Sequence, residues 1–415
     1  MTIKMNQGQA GSKQQTALAG VKVIDLTQFE AGTSCTETLA WLGADIIKIE
    51  EPTRGEQGRR SSTEDANIDS PYFLLMNANK RSVTINLKDE RGKNILRELI
   101  KQGDVFVENF GPGAIERLGF GFDVVKELNP RIIYAQIKGF SAGSPYEKFP
   151  AFDMTAQAVG GSLSVTGETG GRPIRPGPAI GDTGTGLHTV IGILAALHQR
   201  QSDGEGQHVE VAMQEAVINF TRIDYASLAL YGKPPPRHGN QSVLGSAPSE
   251  VYRCKGGGDN DYCYIYTSRA DNRQWERLLK VMGREDLLED PRYKGALERW
   301  KYREEVDALV TEWTLQYDKR ELMEMLGAVN VPGGAVFDVK ELRDDPHLRK
   351  RGMFVTVNHP TRGDFTMPGF PVKMSKSSVP VTAAPLLGEH TGEVLGEMLG
   401  YTPEQVAKLK AEKVI

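Results

Sequence analysis

From Val21 onward, short apolar runs alternate with stretches in which apolar residues recur every three or four positions. The first pattern predicts buried strands, and the second predicts amphipathic helices. A Ser34-x-x-Glu37 capping box and Gly43 are expected to delimit the first helix. The pattern repeats along the chain, with these predicted strands: VKVIDL (21–26), DIIKIE (45–50), SVTIN (82–86), VFVEN (105–109) and IIYAQIK (132–138).

This alternation predicts an α/β fold, in which a large Rossmann-like domain has a mostly parallel sheet with helices on both faces. Ligands of such sheets bind beyond the carboxyl ends of the strands. The loops at those ends are therefore the expected place for a site: 27–34, 51–60, 109–113 and 138–146.

A smaller α/β domain is predicted after GKPPPRHGN (232–240), where three prolines and two glycines suit a linker. The strand-like DYCYIYT and the helical NRQWERLLKVMG follow it. GAVFDV (334–339) and FVTVNHPTRGDFTM are also strand-like, and Thr402-Pro403 is expected to open the last helix. The expected organisation is a disordered tail at 1–17, the large domain at 18–225, the linker and small domain at 226–330, and a C-terminal segment at 331–415 that returns to the large domain.

Composition excludes several classes of protein. The 50 basic and 54 acidic residues nearly cancel, so no overall field would attract nucleic acid or an anionic membrane. Three cysteines form neither an even disulfide framework nor a C-x-x-C pair, which favours a reducing compartment and no structural zinc. The polar N-terminus and the absence of a long apolar run predict a cytoplasmic protein.

A dinucleotide site in the first βαβ unit is one interpretation, with Glu50 holding a ribose at the end of the second strand. Such a site needs a G-x-G-x-x-G turn. The loop here reads TQFEAGTS, in which Gly32 is the only glycine. The sequence therefore argues against a dinucleotide site of that kind.

The segment AIGDTGTGLH (179–188) places Asp182 between small residues, immediately before a predicted helix. Aspartate is among the best N-cap residues, so a purely structural role is one interpretation. A helix N-terminus also favours an anion, and an ionised carboxylate can attack a thioester without a general base. Gly181, Gly184 and Gly186 are expected to leave room for substrate. The residues alone leave both interpretations open.

The helix after Asp182, at 184–200, is expected to face the core through one apolar stripe. That stripe comprises Leu187, Val190, Ile191, Leu194 and Leu197. His188 lies one turn into this helix and is interpreted as a packing residue.

Several blocks of the chain, in the same order, resemble the class III coenzyme A-transferases. The similarity runs from Leu18 to Ile415 and is carried by these blocks: LAGVKVIDLT, SCTETLAWLGADIIKIE, NANKRSVTINL, VENFGPGAIERLGF, NPRIIYAQIKGF, GDTGTG and APLLGEH.

The resemblance implies that Asp182 is the nucleophile. It would attack an acyl-CoA to give an aspartyl anhydride, which the released CoA thiolate would convert to an aspartyl-CoA thioester. An acceptor acid would then take the CoA by the reverse steps. This chemistry implies no tightly bound cofactor and no metal, with coenzyme A esters and carboxylic acids as the substrates.

The family also contains α-methylacyl-CoA racemases, which pair the aspartate with a histidine. Phe152 stands at that histidine's position, just before Asp153, so half of the acid–base pair is missing. A non-catalytic CoA-binding subunit is a third possibility, against which the presence of Asp182 argues.

The other site predictions rest on strand ends and on charge. Glu30 matches an active-site glutamine of the formyl-CoA:oxalate transferases of this family, called the oxalate enzymes below. It is expected to act in catalysis or specificity. Coenzyme A is expected to meet residues at strand ends or in basic runs: Arg59, Asn79, Lys80, Arg81, Asn109 and Lys138.

Two departures from the oxalate enzymes bear on the substrate. The carboxylate of Glu30 would repel a small dianion. The segment SVLGSAPSEV (242–251) keeps one glycine, Gly245, where those enzymes have a glycine lid. The sequence therefore favours succinyl-CoA as donor and a substituted dicarboxylic acid such as benzylsuccinate as acceptor, with a formyl-CoA:oxalate-type transferase as the alternative.

The resemblance also implies an interlocked-ring dimer. It leaves open whether the partner is a second copy of this chain or a related subunit in a heterodimer or heterotetramer.

Overall fold

The computed structural model of the protein describes residues 16–61, 63–65, 67–242 and 245–415. The predicted disordered tail lies outside these ranges, apart from its last two residues. The described residues form two compact units. Unit 1 holds the chain up to Ser162 together with Pro176–Phe220 and Arg349–Ile415, and unit 2 holds Leu163–Arg175 and Thr221–Leu348. The boundaries predicted at 225 and 330 differ from these limits.

Unit 1 is built on a six-stranded sheet in the order β3-β2-β1-β4-β5-β6, in which every neighbouring pair is parallel. The predicted mostly parallel sheet is therefore confirmed. The order of the strands reverses between β1 and β4, which is where ligands bind in sheets of this kind. The strands are β1 (Lys22–Asp25), β2 (Asp45–Glu50), β3 (Arg81–Thr84), β4 (Val105–Glu108), β5 (Ile133–Lys138) and β6 (His208–Ala212).

Helices of unit 1 cover the faces of this sheet, as its buried apolar strands require. One core packs β1–β5 against α3, α5 and helix α17 (Thr391–Leu399), and another packs β1, β2, β4 and β5 against α1 and α8. These helices are α1 (Ala31–Trp41), α2 (Pro71–Leu74), α3 (Glu90–Gln102), α4 (Ala114–Leu118), α5 (Phe122–Leu128), α6 (Asp153–Val159), α7 (Ser162–Val165, whose last residues belong to unit 2), α8 (Thr183–Asp203) and α9 (Met213–Phe220).

The predicted capping box of the first helix is wrong. Helix α1 begins at Ala31, and Ser34 lies inside it, donating to the carbonyl of Ala31 at 3.2 Å. Glu37 accepts a hydrogen bond at 2.9 Å from the distant backbone N–H of Ala78, so it does not cap its own helix. The C-terminal prediction holds, since Gly43 follows the helix with a φ of +102°.

The predicted apolar stripe of helix α8 is only partly correct. Val190 and Leu197 are buried, but Leu187 is 48% exposed and Ile191 is 64% exposed. The buried face is instead set by close packing on α1. A Cβ added to Gly186 would lie 2.3 Å from the Ser34 hydroxyl, so this glycine lets the two helices approach.

Unit 2 contains a three-stranded antiparallel sheet in the order β7-β8-β9 with helices packed on it. The predicted strand at 334–339 ends early, because Asp338 forms a capping box with Glu341 and opens a helix. The elements are α10 (Tyr225–Tyr231), β7 (Ser249–Arg253), β8 (Tyr262–Tyr266), α11 (Arg273–Val281), α12 (Ala296–Lys301), α13 (Arg303–Thr314), α14 (Lys319–Ala328), β9 (Gly333–Ala335) and α15 (Val339–Asp344).

The C-terminal part of the chain follows helix α16 (Pro346–Lys350), which crosses the limit between the units, and returns to unit 1. It forms an antiparallel hairpin of β10 (Phe354–His359) and β11 (Gly363–Pro368), then α17 (Thr391–Leu399) and α18 (Pro403–Ala411). Thr402 opens α18 with a capping box, as predicted. Val414 and Ile415 are buried in the core of unit 1.

Within the described part of the chain, no helix is both long enough and apolar enough to cross a membrane. The three cysteines all lie in that part, buried and unpaired. The interlocked dimer and a related second subunit stay predictions.

Candidate active site

A pocket of about 470 Å³ opens at the carboxyl edge of the sheet in unit 1, where the strand order reverses. Its walls come from the loops after β1, β4 and β5 and from the turn before α8. The sequence analysis predicted a site at these strand ends. The lining residues that matter most for chemistry are Gln28, Glu30, Gln57, Asn109, Lys138 and Asp182, and four phenylalanines form an apolar wall: Phe29, Phe110, Phe149 and Phe152.

Asp182 lines this pocket as the N-cap residue of α8. Its side chain makes no capping hydrogen bond to the described backbone, so the carboxylate is not engaged in holding the helix. The purely structural interpretation of this aspartate is therefore not supported by its contacts.

Three carboxylates approach one another around the start of α8. Burial raises the pKa of Asp182 to about 7, with further contributions from the charges of Glu30 and Asp153. Asp153 receives the backbone N–H of Gly181 at 2.9 Å and also accepts from Gln157 at 2.8 Å. The expectation that the helix N-terminus keeps Asp182 fully ionised needs correction, because burial and two neighbouring carboxylates outweigh the helix dipole.

Glu30 faces this cluster from the N-terminus of α1. Its Oε1 accepts a hydrogen bond from the Thr183 hydroxyl at 2.7 Å. Burial raises the pKa of Glu30, and the charge of Asp153 acts in the same direction, against the hydrogen bonds from Thr183 and Tyr72. Burial likewise raises the pKa of the Tyr72 phenol, which stays a neutral donor beside Glu30. Glu30 and Asp182 thus share one site.

The glycines around Asp182 do not serve the purpose expected from the sequence. A Cβ added to Gly184 would lie 2.4 Å from the ring of Phe220, and one added to Gly181 would lie 2.8 Å from the carbonyl of Asp153. These glycines therefore allow close packing of the protein around the turn, and the open space beside Asp182 belongs to the pocket.

Asn109 and Lys138 line the same pocket, but both already have partners. The Asn109 amide exchanges two hydrogen bonds of 2.8 Å with the backbone of Gln28. Lys138 Nζ pairs with Glu108 at 2.9 Å and donates to the carbonyl of Phe110 at 2.7 Å. Their contact with coenzyme A stays a prediction.

The other four residues predicted to meet coenzyme A are not among those that line the described pocket. Arg59 is fully buried, with bonds of 2.6 and 2.7 Å to Glu50 and one of 2.7 Å to Asp69. Glu50, which the dinucleotide interpretation would assign to a ribose, is thus bound to Arg59.

The run from Asn79 to Arg81 is likewise occupied by the protein itself. Asn79 donates to the carbonyl of Pro380 at 2.7 Å, and Arg81 binds Asp45 at 2.6 Å. Lys80 is buried and contacts the Thr36 hydroxyl at 2.8 Å. Basic character alone did not distinguish residues bound by the protein itself from residues that bind a ligand. The partners of Asn79, Lys80 and Arg81 give no support to their predicted contact with coenzyme A.

Sequence reasoning missed Thr183, Tyr72 and the placement of Asp153 beside Asp182. Thr183 and Asp153 are close to Asp182 and Phe152, which the sequence analysis had singled out, so local proximity was the available signal. Tyr72 is distant in sequence from both Glu30 and Asp182, so the sequence carried no signal for it. Among the described residues, no group of three or more side chains is arranged to hold a metal ion.

Comparison with known proteins identifies the family of the chain. The model of the family described as CoA-transferase family III matches residues 18–391. The chain belongs to that family. A formyl-CoA:oxalate CoA-transferase of Streptomyces coelicolor is 46% identical over 412 residues, which cover 96% of this chain and 99% of that protein. One of Bradyrhizobium sp. is 41% identical over 410 residues, covering 95% and 96%.

Solved structures agree with this membership. A CaiB/BaiF family protein from Brucella suis is 30% identical and superposes with a TM-score of 0.82, covering 93% of this chain and all of that one. A Mycobacterium tuberculosis protein is 26% identical with a TM-score of 0.78, covering 92% and 99%. The predicted class III CoA-transferase enzyme is therefore confirmed, and enzymes of this family use coenzyme A thioesters as substrates.

The position at which the racemases of this family have a histidine is occupied by Phe152 in this protein. Phe152 is 58% exposed on the wall of the pocket and packs edge-on against Phe29 at 6.1 Å. A phenylalanine cannot exchange a proton, so the acid–base pair that racemisation requires is incomplete there.

The raised pKa of Asp182 predicts a pH-dependent first step in this CoA-transferase. As the nucleophile that the resemblance implies, Asp182 would attack only when ionised, so its reactive fraction should fall about tenfold per pH unit below about 7 and level off above it. The measurement is single-turnover release of CoA thiol on mixing with an acyl-CoA between about pH 5 and 8. A rate that stayed constant across this range would indicate an aspartate with its ordinary pKa of 3.8 and contradict the prediction.

Proposed function

We propose that the protein transfers coenzyme A between two carboxylic acids through covalent intermediates on Asp182. The observation that carries this proposal is a carboxylate in an open pocket with no capping hydrogen bond to the described backbone, at the head of a long helix. Such a group is available to attack. No general base is required, because the ionised carboxylate is itself the nucleophile.

The steps balance without a further reactant. Asp182 attacks the thioester carbonyl, the carbon–sulfur bond breaks, and an aspartyl anhydride and CoA thiolate form. The thiolate then attacks the aspartyl carbonyl and releases the donor acid, leaving an aspartyl-CoA thioester. An acceptor carboxylate reverses both steps and regains the free aspartate. Among the predicted coenzyme A contacts, Lys138 lines the pocket and is proposed to face the thioester.

We propose formyl-CoA as the donor and oxalate as the acceptor. This departs from the substrate favoured by the sequence, because the relatives that match nearly the whole chain are named for that reaction. The objection that Glu30 would repel oxalate weakens, since its pKa is raised by burial and by the nearby charge of Asp153.

A substituted succinate, such as benzylsuccinate, with succinyl-CoA as donor, is the second candidate. One observation favours it, namely the four phenylalanines on the pocket wall: Phe29, Phe110, Phe149 and Phe152. Aromatic walls suit an apolar substituent better than they suit a bare dianion.

A matrix of donors and acceptors tests the proposal. Purified protein would be mixed with formyl-CoA or succinyl-CoA and with oxalate, an alkylsuccinate or benzylsuccinate, and the new CoA ester would be measured by liquid chromatography. We expect the highest kcat/KM for formyl-CoA with oxalate. Faster transfer to the succinates would favour the second candidate, and absence of exchange with every pair would overturn the proposed function.

A further inference from the structure

The loop between β1 and α1 carries an unusual backbone conformation. Phe29 has a φ of +56°, in the left-handed region that residues other than glycine seldom adopt. Such a conformation is unfavourable for a residue with a side chain and persists only where the surroundings determine it. Because Glu30 follows directly, this conformation sets the direction from which its carboxylate reaches Thr183.

Three side chains from separate parts of unit 1 hold the backbone of this loop. Lys48 Nζ donates to the carbonyl of Thr27 at 2.8 Å from strand β2. Asn109, just after β4, accepts the N–H of Gln28 and donates to its carbonyl, both at 2.8 Å. Glu56 accepts the N–H of Phe29 at 3.1 Å.

Two further pairs of polar groups help to fix the loop. Thr27 N–H donates to Asp25 at 2.8 Å, and the hydroxyl of Thr33 donates to the carbonyl of Phe29. Gly32 provides independent evidence of the close fit. A Cβ added there would lie 2.5 Å from Thr27 and 3.1 Å from Asn109, so helix α1 can begin here only with a glycine at this position.

We propose that Asn109 is a positioning residue, which fixes the 27–29 backbone and thereby holds Glu30 against Thr183, beside Asp182. Of the three side chains that hold the loop, Asn109 is the one that binds both the N–H and the carbonyl of the same residue, Gln28. This role replaces the coenzyme A contact expected from the sequence. Its consequence for catalysis rests on the proposed function, whereas its consequence for the loop does not.

Crystal structures of the wild type and of Asn109→Ala test the placement without any assay. In the variant we expect Phe29 to leave the left-handed region and the Glu30 carboxylate to move out of hydrogen-bond distance of Thr183. An unchanged loop would overturn the proposal. Should the alanine variant fail to fold, Asn109→Asp keeps the acceptor for Gln28 N–H but loses the donor to its carbonyl, and the same distances are measured.

Kinetics with the best substrate pair test the consequence. We expect Asn109→Ala to lower kcat by about 10- to 100-fold, because small displacements of a positioned group have effects of this size. KM for the acyl-CoA should stay within about twofold, since an interaction felt in the transition state is being lost. A raised KM with an unchanged kcat would instead identify Asn109 as a coenzyme A contact and overturn the proposal.

Two further measurements separate positioning from general damage. Asn129 holds backbone in a similar way, donating to the carbonyls of Ile100 and Gly103 at 3.0 and 2.9 Å, so Asn129→Ala is a matched control that should keep kcat. In a double-mutant cycle, the effect of Asn109→Ala should largely vanish in the Glu30→Ala background.

Additive effects in this cycle would contradict action through Glu30. Absence of exchange in the wild type would overturn the proposed function alone, because the crystal structures would still decide the loop.

Discussion

Replacing Asp182 with asparagine should lower the rate of CoA exchange by at least about a thousandfold, as removal of a covalent nucleophile generally does. Asparagine has nearly the same shape but cannot form the aspartyl anhydride. The exchange rate with the best donor and acceptor is the first measurement. Mass spectrometry after incubation with an acyl-CoA is the second, since the wild-type Asp182 peptide should gain mass and that of the variant should not.

The same substitution should raise the stability of the protein near neutral pH. Because the folded-state pKa of Asp182 lies near 7, above the ordinary value of 3.8, the folded protein binds more protons than the unfolded chain between these values. The ionisation of this carboxyl therefore removes stability as the pH rises through that interval. A neutral asparagine avoids this loss, and the midpoint of urea unfolding at pH 7 should increase.

Asp338→Asn provides the matched control for this variant. Asp338 is also a helix N-cap, but its side chain does accept hydrogen bonds from the backbone N–H groups of Lys340 and Glu341. Asparagine caps helices about as well as aspartate, so both activity and stability should change little. An Asp182→Asn variant that retained exchange would move the chemistry to another group and contradict the assignment.

Replacing Arg59 with methionine should reduce the free energy of unfolding by about 3–5 kcal/mol, the usual effect of breaking a buried ion pair on one side. Arg59 lies between Glu50 and Asp69 and stacks 3.8 Å from the centre of the Phe73 ring. Although burial raises the pKa of Glu50, the hydrogen bonds and charge of Arg59 hold it below its ordinary value. Without the guanidinium, Glu50 is left buried and uncompensated.

Urea unfolding followed by circular dichroism measures this loss. The neighbouring Arg60 is a convenient control, because it is more exposed and pairs with Asp69 only loosely, with 3.9 Å between its guanidinium nitrogen and the carboxylate oxygen. Surface pairs of this kind contribute at most about 1 kcal/mol, so Arg60→Met should have a small effect. If Arg59→Met were stable but raised KM for the acyl-CoA tenfold or more, the phosphate contact predicted from the sequence would regain support.

Glu30 illustrates how a substrate argument from sequence can change with the site. In sequence, a carboxylate in place of a glutamine suggests repulsion of oxalate. In the folded protein the pKa of Glu30 is raised, mainly by burial and further by the charge of Asp153. The electrostatic environment of this carboxyl group thus depends on neighbours that come from distant parts of the chain.

Much of the fold and the family of the protein could be predicted from the sequence alone. The strands of the parallel sheet follow from local apolar runs, and the ordered blocks around GDTGTG identify the family. These features are local or linear, so they can be read without knowing which segments meet.

Only the tertiary structure decided which charged residues serve the site. Arg59 and Lys80 resemble phosphate-binding residues in sequence. In the folded protein both are buried, Arg59 in an ion pair with Glu50 and Lys80 in an ion pair with Asp25. Likewise, Glu30 and Thr183 are 153 positions apart and meet only when α1 packs on α8. Burial, pKa and the choice of partner depend on such long-range contacts, which no local pattern contains.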